Sequence, residues 1–107
     1  MMRERVTIDQ YCSSAGTRER GRRVYPEILK AAEGDRDLEI SFEKIDFVSP
    51  SFLDETVVRL VEEDPSIAKR ITVIGLQPFA ARMLKTALGK LGISTEIVKD
   101  TTERRAS

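Results

Sequence analysis

The sequence predicts an α/β fold, a four-stranded, mainly parallel sheet with three helices. Three observations carry this. Segments with strand character and segments with helix character alternate from end to end, in the order strand, helix, strand, helix, strand, helix, strand. Residues 71–76 are almost continuously apolar, as in a central strand covered on both faces. Two of the three helical segments open on Ser49-Pro50 and Gln77-Pro78, with Pro at the first helical position, where its missing N–H costs nothing.

Taken in order, Val6-Thr7-Ile8 is a short β-branched run and a candidate edge strand. Ser13 to Thr17 is turn and helix-start chemistry, and a helix follows with Val24, Ile28, Leu29 and Ala32 on one face. Pro26 falls inside it, at a cost of about 3 kcal/mol in a regular helix interior. Either that helix kinks at Pro26, or a first short helix stops and a second starts there; Gly34 ends it. Leu38 to Phe42 alternate with period two, a strand with one buried face. Ser49 then reads as an N-cap, and Leu53, Val57, Leu60 and Val61 form one apolar stripe that Asp64-Pro65 stops. The last helix buries Phe79, Met83, Leu84, Ala87, Leu88 and Leu91, with Gly92 as its C-cap, and residues 93–98 close the sheet as a fourth strand.

At 107 residues, one domain is expected, with a core over about 6–98 and a charged tail, 99–107, that frays. No apolar run is long enough to span a membrane and no apolar signal core follows the charged start, so a cytoplasmic domain with no membrane contact is expected. The single Cys, which has no internal partner, fits a reducing compartment.

The absence of His removes the usual general base and the commonest zinc ligand. Cys12 therefore has no imidazole to activate it. Asp54/Glu55 and Glu62/Glu63 are neighbours in sequence, about 100° apart on a helix, so neither pair converges as a catalytic dyad would. No Gly-rich phosphate loop is present. These readings point to a protein that is not an enzyme and holds no cofactor or metal.

The balanced charge, 18 basic against 18 acidic residues, conceals a pattern. Residues 1–23 carry net +3, residues 24–64 net −8 and residues 65–107 net +5. A zero total, and a basic cluster (Arg18, Arg20, Arg22, Arg23) without interleaved aromatics, argue against nucleic acid as the partner. The acidic middle predicts an acidic face that suits a partner with a basic one. Ser14, Thr17 and Arg18 at the first helix start form a candidate anion site for a small anionic ligand or nucleotide, the alternative function.

Two stretches resemble the STAS-like family of unknown function found in bacteria. Thr17-Arg18-Glu19-Arg20-Gly21 is similar to that family's Ser-Arg-Glu-x-Gly helix start. Residues 38–55 are similar to its strand, its Φ-x-F-Φ-S-x-S-F turn (Φ apolar) and the Asp-Glu that opens a helix. The resemblance implies a STAS-like fold and a regulatory, non-enzymatic role in signalling. The better-known STAS relatives are anti-sigma-factor antagonists that bind a histidine-kinase-like ATPase and are switched by phosphorylation of a Ser at the second helix start. Here that acceptor column falls on Pro50, so Ser49 and Ser51 stand as the candidate acceptors. The implied partner-binding residues are Ser49, Ser51, Phe52, Asp54 and Glu55. Phe52 stands where those relatives have Gly, and is either core or an exposed anchor. The sequence selects no oligomeric state.

Overall fold

The computed structural model describes residues 3–99. Strand β1 (Arg3–Thr7) leads through a 3-10 turn (Ile8–Gln10) to helix α1 (Arg18–Ala32). Strand β2 (Asp37–Ser41) leads to helix α2 over residues 50–63. A second 3-10 turn (Pro65–Lys69) precedes β3 (Ile71–Ile74), and α3 (Pro78–Lys90) follows it. The sheet order is β1-β2-β3, with both pairs parallel.

Register builds one apolar face. Val6 lies beside Ile40 and Ile40 beside Val73, while Leu38 pairs with Ile71. All are buried in a single cluster with Val24 and Ile28 of α1, Leu53 and Val57 of α2, and Leu84 and Leu88 of α3. The other face carries Arg5, Glu39 and Thr72 in one row. Glu39 is only 6 % exposed and ion-pairs with Arg5 across the β1–β2 boundary. The polarity alternates as in the sequence, but the single buried face expected for this strand is not what forms: Glu39 and Ser41 are buried as well as Leu38 and Ile40. The central strand, however, is β2 and not β3.

Three strands stand among the described residues, not four. Over residues 93–98 the chain forms a 3-10 turn (Thr95–Ile97), capped by Ser94, whose Oγ accepts from the Glu96 N–H at 3.2 Å. That turn uses the length a strand would need. What remains of the fourth strand is one parallel bridge between Val73 and Val98, with the Lys99 N–H donating to the Val73 carbonyl at 2.9 Å. Residues 100–107, most of the expected frayed tail, lie outside the described residues.

Helix α1 continues through Pro26. Arg22, whose carbonyl loses its partner there, and Pro26 itself are both exposed, so water can supply the missing bond. Tyr25 is buried beside Val24 and Ile28, whereas Leu29 is 43 % exposed and leaves the face expected for it. In α3 the buried face is Ala80, Ala81, Leu84 and Leu88; Phe79, Met83 and Leu91 are exposed, against expectation. The apolar stripe read from sequence was wider than the surface available to cover it. No helix among the described residues is long and apolar enough to cross a membrane.

Gly75 sets the exit from β3. Its φ is +83°, and a Cβ there would lie 2.6 Å from the Glu43 backbone nitrogen. Gly34 has φ +89° but open space around it. Gly75→Ala is therefore expected to cost about 2 kcal/mol or more by urea denaturation, strain and clash together. Gly34→Ala should cost only about 1 kcal/mol, from strain alone. Equal losses would contradict the assigned clash.

Candidate functional site

In a parallel sheet the loops leaving the carboxyl ends of the strands lie side by side, and this is where sites on such folds are built. Here the loops after β1 and β2 are stitched together. The Ala15 N–H donates to the Phe47 carbonyl at 3.3 Å, and the Ser49 N–H donates to the Ala15 carbonyl at 2.9 Å. The start of α1 is thereby held against the start of α2. Each start has its own cap: Thr17 Oγ1 accepts from the Arg20 N–H at 3.1 Å, and Ser49 Oγ accepts from the Phe52 N–H at 3.0 Å.

The two family-like stretches meet here. Arg18 Nη1 donates to Glu55 Oε2 at 2.8 Å, and its Nη2 lies 3.5 Å from Asp54 Oδ2. Arg22 Nε lies 3.6 Å from the same Glu55 oxygen. The hydrogen bond from Arg18, opposed by partial burial and helped by Arg22, holds the Glu55 carboxyl below the usual carboxylate range. The same bond raises the Arg18 guanidinium above its ordinary value.

Below this clamp the helices touch through Gly21. A Cβ on Gly21 would lie 3.0 Å from Glu55 Cβ and 3.1 Å from the Phe52 carbonyl oxygen. That carbonyl accepts from Thr56 Oγ1 at 2.8 Å, inside the core. Around it α2 widens from α-helix (Pro50–Leu53) into a π turn (Asp54–Val58) before resuming (Arg59–Glu63). A π turn within an α-helix often marks a functional position.

The expected site residues thus fall at one end of the sheet, but in different roles. Phe52 is fully buried, in an edge-to-face contact with Phe42 at 6.2 Å between centroids, and takes the core role, not that of an exposed anchor. Ser49 is buried, and its hydroxyl is used as the cap. Ser51 is half-buried, and Asp54 has a side chain 49 % exposed. Ser14 is exposed, and only its carbonyl engages the cluster, accepting from Arg20 Nη1 at 3.5 Å. For the anion reading the geometry is adverse: Thr17 already serves the helix start, and Arg18 is turned onto two carboxylates.

The acidic face is also smaller than the net −8 suggests, because α1 brings Arg18 and Arg22 onto Glu55. What stays open is a groove of about 420 Å³ along α2, lined by Arg18, Asp54, Glu55, Val58, Arg59 and Glu62.

Sequence reasoning missed a second α1–α2 link. Tyr25 Oη donates to Glu63 Oε1 at 2.5 Å, and the Arg59 guanidinium sits 4.1 Å from the Tyr25 ring centroid. Burial, with the Glu63 hydrogen bond, pushes the Tyr25 phenol up to about 12. The i,i+4 spacing of Arg59 and Glu63 was the available signal. Cys12 is half-buried, and burial pushes its thiol up, away from reactivity. Among the described residues no cluster of three His, Cys, Asp or Glu side chains could hold a metal ion.

Compared with known proteins, residues 20–78 match the family model of a STAS-like domain of unknown function. The match includes Gly21, the Ser49 to Glu55 turn and all of β2, α2 and β3. No curated protein and no solved structure matches the chain.

Two outcomes test the clamp. Gly21→Ala gains about 1 kcal/mol of helix propensity. It loses more, up to about 3 kcal/mol, because the Phe52 backbone cannot swing aside; the urea midpoint should fall, and a rise would show that the helices separate freely. In carboxyl NMR titrations Glu55 should protonate at lower pH in the wild type than in Arg18→Ala. The sign follows: its stabilising contribution is complete above the unfolded carboxylate value of about 4.3 and is lost as pH falls through the lower folded value. High salt should shrink the difference, since the pair is solvent-facing.

Proposed function

The chain belongs to the STAS-like family of unknown function, and we propose that it is a non-enzymatic protein-interaction module of bacterial signalling. It docks through the turn from Ser49 to Glu55 and the α2 groove beside it. One observation carries this reading. The turn is fixed from within and open outside: Ser49 is spent as a cap and Phe52 in the core, while Ser51 and Asp54 reach the surface. A surface held this firmly pays little ordering entropy on binding. The chemistry of the groove, with Asp54 and Glu62 exposed along it, suits a basic partner face. In the cytoplasm a histidine-kinase-like ATPase is the partner class that the STAS resemblance supports.

In this reading Ser51, not Ser49, is the phospho-acceptor, because the Ser49 hydroxyl is buried and occupied. A phosphate on Ser51 would add about −1.5 to −2 charges beside Asp54 and Glu55 and oppose docking where shape demands close approach. With the wild-type chain as bait, a bound partner should be lost from both Asp54→Lys and Ser51→Glu, with circular dichroism showing all three folded. Equal recovery of the same partner by wild type and Asp54→Lys overturns this docking surface.

A further inference from the structure

No acidic residue occurs between Asp64 and Glu96, while five basic ones do. Three of the five, Arg82, Lys85 and Lys90, lie on α3. The helix turns Ala80, Ala81, Leu84 and Leu88 into the core. At about 100° per residue, Arg82, Thr86, Phe79, Lys90 and Met83 share an arc of about 100° on the side away from it. All five are exposed, Phe79 to 61 % and Met83 to 37 %. Arg82 and Lys90 form no ion pair among the described residues. The outer face of α3 thus mixes two apolar side chains with two unpaired bases and holds no acid.

We propose that this face is a contact surface for an anionic lipid bilayer, on which α3 lies flat. An interfacial helix sets apolar side chains at the boundary of headgroups and acyl chains, and bases among the lipid phosphates. Phe79 and Met83 supply the apolar part. Arg82 and Lys90 supply the basic part, and their alkyl stems let the charges reach the headgroups while the apolar chains enter. A protein partner must match shape as well as chemistry. A bilayer answers to amphipathic character and charge alone, and an outward-facing helix offers those two. Asp54 and Glu62 of α2 stand across the groove that Met83 borders, at the edge of the arc. Their charge tilts the contact toward Arg82 and leaves α2 free. The expectation of no membrane contact rested on the lack of a spanning run, and lying on a surface requires none. The inference stands apart from the docking reading, because no α3 residue lines the groove beside Arg18 and Glu55.

Co-sedimentation of the full chain with lipid vesicles tests it. The chain should pellet with vesicles of equimolar phosphatidylcholine and phosphatidylserine, and not with phosphatidylcholine alone. Binding should fall as salt rises. Arg82→Glu and Phe79→Ser should each weaken it by about fivefold or more. Lys30→Glu, the same charge change on α1, should leave it near the wild-type level. No binding to the anionic vesicles, or equal binding to both kinds, overturns the proposal. So does a loss in Lys30→Glu equal to that in Arg82→Glu, which would reduce the effect to net charge. A Phe79→Ser chain that binds as the wild type does overturns it too, since the face would then be a site for any polyanion. Circular dichroism of each variant separates lost binding from lost folding.

Discussion

Everything at the candidate site depends on how closely α1 approaches α2. That approach is limited by one position, Gly21, which leaves room for the Phe52 carbonyl and the Glu55 side chain where any Cβ would press on both. Because the backbones come this near, Phe52 can reach the core and meet Phe42. Because Phe52 is there, the α2 start is anchored, and Arg18 finds Asp54 and Glu55 within reach. The ion pairs add little stability in solvent, but they set where the charges point. Packing makes the contact and electrostatics orients what it exposes.

The π turn in α2 is part of the same arrangement. Widening a helix over Asp54–Val58 disturbs the regular ladder, and the Thr56 hydroxyl answers by donating to the Phe52 carbonyl. The turn sits between two α-helical pieces, so it also sets how the acids at its start are placed relative to Glu62 and Glu63 at the end. Tyr25, Arg59 and Glu63 then tie the far end of α2 back to α1. A helix with an irregular middle is thus pinned at both ends. That is the condition for a docking surface that keeps its shape.

Much of this was legible in the chain. The alternation of elements, the two Ser/Gln-Pro helix starts and the Ser49 cap follow from local chemistry: a fixed proline φ, a missing N–H and a short side-chain acceptor act within a few residues. Period two in residues 38–42 placed Leu38 and Ile40 on the core face but did not foresee that Glu39 and Ser41, on the opposite face, are buried too. The STAS-like stretches were also readable, since they lie in continuous runs. Less legible were Leu29, Phe79, Met83 and Leu91, apolar residues at helical spacing that stay exposed. Periodicity says which residues share a face, but not how much of that face a neighbour covers.

The sequence by itself determined the α/β class, the helix starts and the position of the family-like turn, because these rest on interactions between residues close in the chain. Only the tertiary structure decided that β2 is central, that the fourth strand shrinks to a single bridge, and that Phe52 belongs to the core. It alone brought Arg18 onto Glu55 across 37 residues, dividing an acidic segment into a neutralised part and an open one. Those outcomes depend on which surfaces meet, and on space left or denied by a single Cβ, quantities that no local pattern contains.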